Sequence, residues 1–260
     1  ESSFAVARSL DWRESYAVLF TGKSGDMIVS RTVRLPSLFV PKTLAPPVID
    51  GDLADWTDAE WLLLSEDSLS TDFDPKNPHV GTSDLAAEVA IRYDASNVYL
   101  AVNVKDDRFF RGSGGDQELF AGDSVQVYFD LKNTARESVR DYDADDAVYS
   151  IGLDQAMRPI AWLEKNPGGT RYVGGANEET GIDSDVRVAC RKTAAGYVYE
   201  MAFPGYTLPF LALAPGSIFG ISLLINDNDG AGRKQGVTLG PKGTEPCKTP
   251  FLWRCARLMK

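Results

Sequence analysis

The amino-acid sequence predicts an all-β chain: an antiparallel β-sandwich carrying an N-terminal β extension. Three observations predict it. Apolar and polar residues alternate with period two through the stretch from Ala87 to Leu131, the pattern of strands with one buried face. A long series of short strand-like runs is joined by Gly-, Asn- and Asp-rich turns, with little helical periodicity, which argues a sandwich. The run from Ile218 to Ile225 is near-continuously apolar, as for a strand covered on both faces.

Residues 1–44 stand apart from the main domain, residues 45–260. Tyr16 to Phe20 and Met27 to Ser30 read as strands around the turn Thr21-Gly22-Lys23-Ser24-Gly25-Asp26. Thr21-Gly22-Lys23-Ser24 has the look of a phosphate-loop ending. Ala17 stands where the upstream glycine is needed and no helix pattern follows, so the hairpin turn is kept. Leu35-Pro36 and Val40-Pro41 interrupt regular structure as a linker does. The extension is either an extra sheet packed on the main domain or the remnant of a preceding one.

Asp50-Gly51-Asp52 opens a turn, and Trp56 and Trp61, in the company of Val48, Ile49, Leu62 and Leu63, read as core. Residues 65–83 are mostly polar, hold Pro75 and Pro78, and form a loop. The single histidine, His79, lies in that loop and is expected to be exposed. Val89, Ile91 and Tyr93 then alternate with polar or small residues, Asp94 to Asn97 turns the chain, and Val98, Leu100, Val102 and Val104 alternate again. A Gly-rich loop with Phe109, Phe110 and Phe120 follows before Val125, Val127 and Phe129. A hairpin that opens into an aromatic-bearing loop is one way to build a ligand mouth. Val148 to Leu153 and Pro159 to Trp162 read as strands; Gly168-Gly169 and Gly174-Gly175 mark turns. Val186, Val188 and Cys190, then Tyr197 to Phe203, flank Ala194-Ala195-Gly196 as a second hairpin. Pro204 to Pro215 holds a short helical turn, and Val237 to Leu239 and Trp253 to Leu258 close the fold.

A formal net charge of -10 argues against a nucleic-acid partner and favours neutral or cationic ligands, or calcium, while solubility alone accounts for the same balance. No apolar run approaches the ~20 residues of a membrane span, so membrane insertion is not expected. The chain begins at Glu1 rather than Met and shows no signal peptide, as a mature or excised fragment does. Cys190, Cys247 and Cys255 include no CxxC spacing, which argues against a zinc or redox site. A Cys247–Cys255 bridge and buried free thiols both remain open.

Five blocks carry a resemblance, in order: Pro46 to Trp56 with its Asp50-Gly51-Asp52 turn; Tyr93-Asp94 to Asp106; Gly122-Asp123-Ser124-Val125-Gln126-Val127-Tyr128-Phe129; Asp145-Asp146-Ala147-Val148-Tyr149; and Asn226-Asp227-Asn228-Asp229. Together they resemble family 9 carbohydrate-binding modules over most of the chain from Ala45 to Leu258. The resemblance implies a jelly-roll-like sandwich that binds an oligo- or polysaccharide without catalysis. It implies a secreted setting, extracellular, periplasmic or at the cell surface, beside other domains of a polysaccharide-acting or surface protein such as a glycoside hydrolase. It also implies a sugar held between two tryptophans, with an acid and an arginine on its hydroxyls. Here the first tryptophan position is Phe120, the acid Gln126, the arginine Ser150 and the second tryptophan Cys247. One aromatic survives in altered form, and the charged partners are replaced.

Asp141, Asp143, Asp145 and Asp146 share one loop, and Asp227 and Asp229 flank Asn228 before Gly230. Alternating carboxylates at a glycine turn supply oxygen ligands for calcium; the same residue types are turn formers. The resemblance implies structural calcium, for which Asp143, Asp145, Asp146, Asp227 and Asp229 of these clusters are the candidate ligands. Glycoside hydrolysis requires two carboxyls ~5–10 Å apart, and nothing in the sequence sets such a pair. Two alternatives stay open: a haem-binding sandwich using Met157 or Met201, against which both read as gap-filling apolar residues, and a protein-interaction sandwich that has lost sugar binding.

Overall fold

The computed structural model describes residues 16–24, 27–169 and 179–260. The strands, in chain order, are β1 (Tyr16–Ser24), β2 (Met27–Leu35), β3 (Leu38–Val40), β4 (Leu62–Leu64), β5 (Leu85–Tyr93), β6 (Asn97–Asp106), β7 (Ser124–Asp130), β8 (Asp146–Leu153), β9 (Pro159–Lys165), β10 (Gly181–Ile182), β11 (Arg187–Lys192), β12 (Gly196–Pro204), β13 (Ile218–Asn226), β14 (Val237–Thr238) and β15 (Arg254–Leu258). Gly25-Asp26 and Gly174-Gly175 lie outside the described residues.

Two sheets make the sandwich. One runs β10-β9-β8-β7-β13-β15-β3, with β14 also on β13; the other runs β11-β12-β6-β5-β4. Pairing within both is antiparallel except where β3 joins β15 in parallel. The predicted hairpins stand in register, β5 on β6 and β11 on β12. Val125, Val127 and Phe129 of β7, Tyr149 and Ile151 of β8 and Ile221, Leu223 and Ile225 of β13 face Val89, Leu100, Val102, Tyr199, Met201 and Phe203 of the second sheet. Phe203 sits at the centre, edge-on to Phe129 at 5.3 Å and to Tyr149 at 5.1 Å, a favoured aromatic geometry.

The five-stranded sheet is covered on its outer face as well, beyond what alternation alone predicts. Ala90, Tyr99, Ala101 and Ala202 pack under Trp56, with Ile49, Leu53 and Trp61 alongside. Trp56 is therefore core, as the sequence predicts. Glu200 of β12 fixes this cover: its buried carboxylate accepts from Trp56 Nε1 at 2.7 Å, Gly51 N at 2.6 Å and Asp50 N at 3.1 Å. Gly51 has φ +82, and a Cβ there would stand 2.8 Å from Arg191 Cβ, so the turn requires glycine.

β1 and β2 form the expected hairpin as a sheet of their own. Its base is tied to the sandwich. Arg34 donates through Nη2 to Trp253 O, its Nη1 lies 3.5 Å from Asp130 Oδ2, and Ser37 N donates to Cys255 O at 2.9 Å. β3, within the segment set apart by the sequence, is the edge strand of the larger sheet. All three cysteines are free thiols. His79 departs from expectation: its side chain is buried, with Nδ1 3.4 Å from Asp84 Oδ2. Burial pushes its pKa down against the opposing pull of Asp84. The reason is tertiary, since the 65–84 loop folds back on β13 and β14 through bonds such as Ser70 N to Gly236 O at 2.9 Å.

Candidate functional site

Period two decides which side chains leave the core. On β7, Val125, Val127 and Phe129 point in, so Ser124, Gln126 and Tyr128 point out; Val148 and Ser150 of β8 and Leu224 and Asn226 of β13 do the same. The outer face of the larger sheet thus carries an aromatic cluster, buried under the loops that hold Phe73 and Tyr142, and a polar ridge beside it. Tyr128, Val148, Leu224 and Trp253 make the cluster, with Tyr142 and Phe73 at its margin. Tyr128 and Tyr142 lie 5.5 and 6.2 Å from Trp253, ring centre to ring centre.

The ridge is one connected network. Gln126 pairs with Ser150 across β7 and β8. Ser150 Oγ donates to Glu164 Oε1, and Gln126 Nε2 donates to the same oxygen at 3.5 Å. Asn226 Nδ2 donates to Gln126 Oε1 at 3.4 Å and to Ser124 Oγ at 3.1 Å. Arg233 closes it: Nε donates to Asn226 Oδ1 at 2.9 Å, Nη2 to Gln126 Oε1 at 3.2 Å, and Nη1 lies 3.6 Å from Glu245 Oε1. The guanidinium lies over Phe73, 3.7 Å from its ring centre, and 5.7 Å from that of Phe120. Burial raises the pKa of Glu164, against the pull of the Ser150 and Gln126 bonds and the Arg233 charge.

The four residues predicted to meet a sugar come to this one face. Gln126 and Ser150 are at its centre; Phe120 flanks Arg233. Cys247 stands at the other margin, where Tyr142 OH donates to its Sγ at 3.4 Å. Sequence reasoning missed Glu164, Arg233 and Phe73. Glu164 shares the outward parity of Ile160 and Trp162 on β9, a signal the sequence does carry. Arg233 follows the Gly-rich turn after β13 and carries none.

The five predicted metal ligands separate to opposite ends of β7. At one end Asp130 pairs with Asp146. Asp143 N donates to Asp146 Oδ2 at 2.7 Å, Asp145 N to Asp143 Oδ1 at 3.0 Å and Lys132 N to Asp145 Oδ2 at 3.0 Å. Asp146 is 1% exposed, and its Oδ1 has no hydrogen-bond partner. It lines a cavity of about 250 Å³ with Thr134, Asp141, Asp143 and Pro250. Burial, with the charges of Asp130 and Asp143 behind it, pushes the Asp146 carboxyl up to about 8; burial and the Asp143 charge push Asp145 to about 6. At the other end Asp227 and Asp229 share an ammonium with Asp84: Lys234 Nζ lies 3.3, 2.6 and 2.6 Å from their respective oxygens. Met157 stands 56% exposed at the β8–β9 turn, while Met201 is inside the core.

Residues 49–245 match the sequence model of a family described as carbohydrate family 9 binding domain-like. A curated relative, the exoglucanase XynX of Acetivibrio thermocellus, is 26% identical over 219 residues, covering 84% of this chain and 16% of that protein. Two solved structures of a family 9 carbohydrate-binding module from Caldicellulosiruptor kristjanssonii, in complex with cellotriose and with glucose, superpose with a TM-score of 0.59 each. They are 18% and 16% identical, and each alignment covers 85% of this chain and 93% or 95% of the other.

Proposed function

The chain belongs to the carbohydrate family 9 binding domain-like family, and on that premise we propose that it binds a neutral oligosaccharide, without catalysis, on the outer face of the larger sheet. One observation carries the reading: a carboxylate and a guanidinium, Glu164 and Arg233, are held on that face by an amide and hydroxyl network between aromatic rings. The acid and arginine missing at positions 126 and 150 are thereby returned from a neighbouring strand and a loop. Glu164 accepts and Arg233 donates, so vicinal hydroxyls can bond both with charge-assisted strength. The Phe120 ring offers its face to the apolar face of a pyranose. The names of the relatives support the ligand class, and the relative that is an exoglucanase supports a place beside catalytic domains in a secreted or surface protein.

Cellotriose is the probe. Calorimetry is expected to give a dissociation constant on the order of 0.1–1 mM, since a phenyl ring and a largely buried polar network replace two indoles. Arg233→Ala, Glu164→Gln and Phe120→Ala are each expected to cost about 1–3 kcal/mol, roughly fivefold to 150-fold in affinity. Cellotriose binding that all three variants leave unchanged would place the sugar elsewhere.

Calcium at Asp143, Asp145 and Asp146, with Asp130 behind them, belongs to the same reading. The donors are hard oxygens, and the orphaned Asp146 Oδ1 beside the cavity fits a cation. When bound, calcium would supply positive charge that neutralises the repelling carboxylates. Millimolar calcium, at about 100 times its dissociation constant, adds about 2.7 kcal/mol of stability, or roughly 5–10 °C in melting temperature for a chain of this size. Coincident melts in calcium and in chelator would remove the ion from the reading.

A further inference from the structure

We propose that Lys234 is a tethered cation, seated in a buried carboxylate cluster, whose task is to position Arg233 over the sugar-binding face. Its effect on affinity rests on the reading of that face as sugar-binding; its effect on Arg233 does not.

The Lys234 side chain is 2% exposed. Its ammonium contacts Asp84, Asp227 and Asp229, and Asp106 joins them, with carboxylate oxygens of Asp106, Asp227 and Asp229 all within 4.8 Å of one another. Asp106 Oδ2 and Asp229 Oδ1 are buried without a hydrogen-bond partner. So many carboxylates out of water are tolerable only with a cation among them. The chain supplies that cation itself, on a four-carbon stem.

What the ammonium holds together bears on function. Asp84 ends the loop that carries Phe73. Asp227 and Asp229 lie in the turn after β13, where Lys234 N donates to Asp227 O at 2.7 Å. Asn228 staples that turn to the segment behind Phe120: its N donates to Asp123 Oδ1 at 2.8 Å and its Nδ2 to Ala121 O at 2.5 Å. Its Oδ1 accepts from Gly230 N at 2.7 Å and Gly232 N at 3.2 Å. Gly230 and Gly232 have φ of +94 and +126, so the backbone leading into Arg233 has little stiffness of its own. Lys234 is the next fixed point. Adjacent side chains of this segment go opposite ways: Lys234 to the acid cluster, Arg233 to Asn226, Gln126 and Phe73. Gln235 Nε2 then donates to Ser70 O at 2.8 Å, which ties the same segment to the Phe73 loop. One ammonium therefore sets the spacing of Arg233, Phe73 and Phe120.

The Arg233 Nε–H, bonded to Asn226 Oδ1, reports position directly as a nitrogen–proton NMR cross-peak, assigned by its loss in Arg233→Lys. In Lys234→Met this proton is expected to exchange with water at least tenfold faster. Cellotriose affinity is expected to fall to that of Arg233→Ala, and the Arg233→Ala, Lys234→Met double variant to bind no more weakly than Arg233→Ala alone. A folded Lys234→Met protein with unchanged Nε–H exchange overturns the proposal. Should Lys234→Met not fold, Asp229→Asn serves: its side chain is 24% exposed and its loss leaves Asp84 and Asp227 on the ammonium. A two- to fivefold faster exchange is then expected, and no change overturns the role. Wild-type protein that shows the protected Nε–H, loses it in Lys234→Met, and binds no cellotriose would sink the sugar reading while leaving the positioning intact.

Discussion

Replacing Glu200 with alanine is expected to destabilise the fold by about 3–5 kcal/mol, a fall in melting temperature of roughly 10 °C or more. The side chain is buried on β12, and three donors end on it: the Trp56 indole and the amides of Asp50 and Gly51. Alanine removes the acceptor and leaves those donors facing apolar surface, at about 1–3 kcal/mol for each one that water cannot reach. It also opens a void beneath Trp56. Glu200→Gln preserves shape and one oxygen but turns an amide NH2 toward donors, so a loss of about 1–3 kcal/mol is expected. Burial, with the Asp50 charge adding to it, raises the pKa of Glu200, and the three bonds pull it back only in part. Chemical denaturation of the three proteins measures the effect. A Glu200→Ala protein as stable as wild type would mean that residues 46–56 contribute nothing to the core. Limited proteolysis offers an independent view, since the detached Asp50 to Trp61 segment should be cleaved first.

Glu200 also marks where the sequence stops being readable. The strands were legible because alternation is local: Val125, Val127 and Phe129 declare their inner face without reference to anything distant. The resemblance named Gln126 and Ser150 together, and the structure pairs them on one outer face. Trp56 read correctly as core from its apolar neighbours. The partner that holds it, a glutamate in the middle of an otherwise apolar strand, did not, because its three donors arrive from residues 50–56. Glu164 and Arg233 were missed for a related reason. A site built on a sheet takes residues from adjacent strands and crossing loops, so a lost arginine at one position can return from another far along the chain. His79 failed differently, because a histidine in a polar loop looks solvated; Lys234, a lysine after glycines, drew no reading at all. Each is buried because Asp84, at the end of β5's entry loop, draws them in. Cation placement among carboxylates is a tertiary property, and no spacing rule of the chain encodes it.

That charge arrangement carries the second large effect. In chelator, stability is expected to fall as pH rises from about 5 to about 9. Burial pushes Asp106 up to about 6 and Asp227 to about 7, and Asp123 to about 9 with the charge of Asp106 adding to it. Asp145 and Asp146 follow at about 6 and about 8. Each of these folded-state values lies above the ordinary carboxylate value near 4. Over that interval the native protein binds more protons than the unfolded chain, so stability declines with pH. The contribution is whole below about pH 4 and is lost as pH passes each raised value. Asp52, Asp58, Asp94 and Asp154 are shifted the other way, chiefly by hydrogen bonds from Arg191, Arg92, Tyr99 and Arg158, and weaken the fold only under more acidic conditions. Maximum stability is therefore expected in mildly acidic solution. One unit of difference between a group's folded and unfolded pKa is worth about 1.4 kcal/mol; with water relaxing around the charged forms, a total of roughly 3–6 kcal/mol, or about 10–20 °C, is expected between the two ends. Calcium should recover only the part owed to Asp145 and Asp146, because the ammonium of Lys234 already stands among Asp84, Asp227 and Asp229. Asp146→Asn should raise stability at pH 9 and remove the calcium response together. A melting temperature that is flat or rising across the interval would mean that these carboxylates are solvated in the folded protein, and the buried acid clusters at both ends of β7 would have to be redrawn.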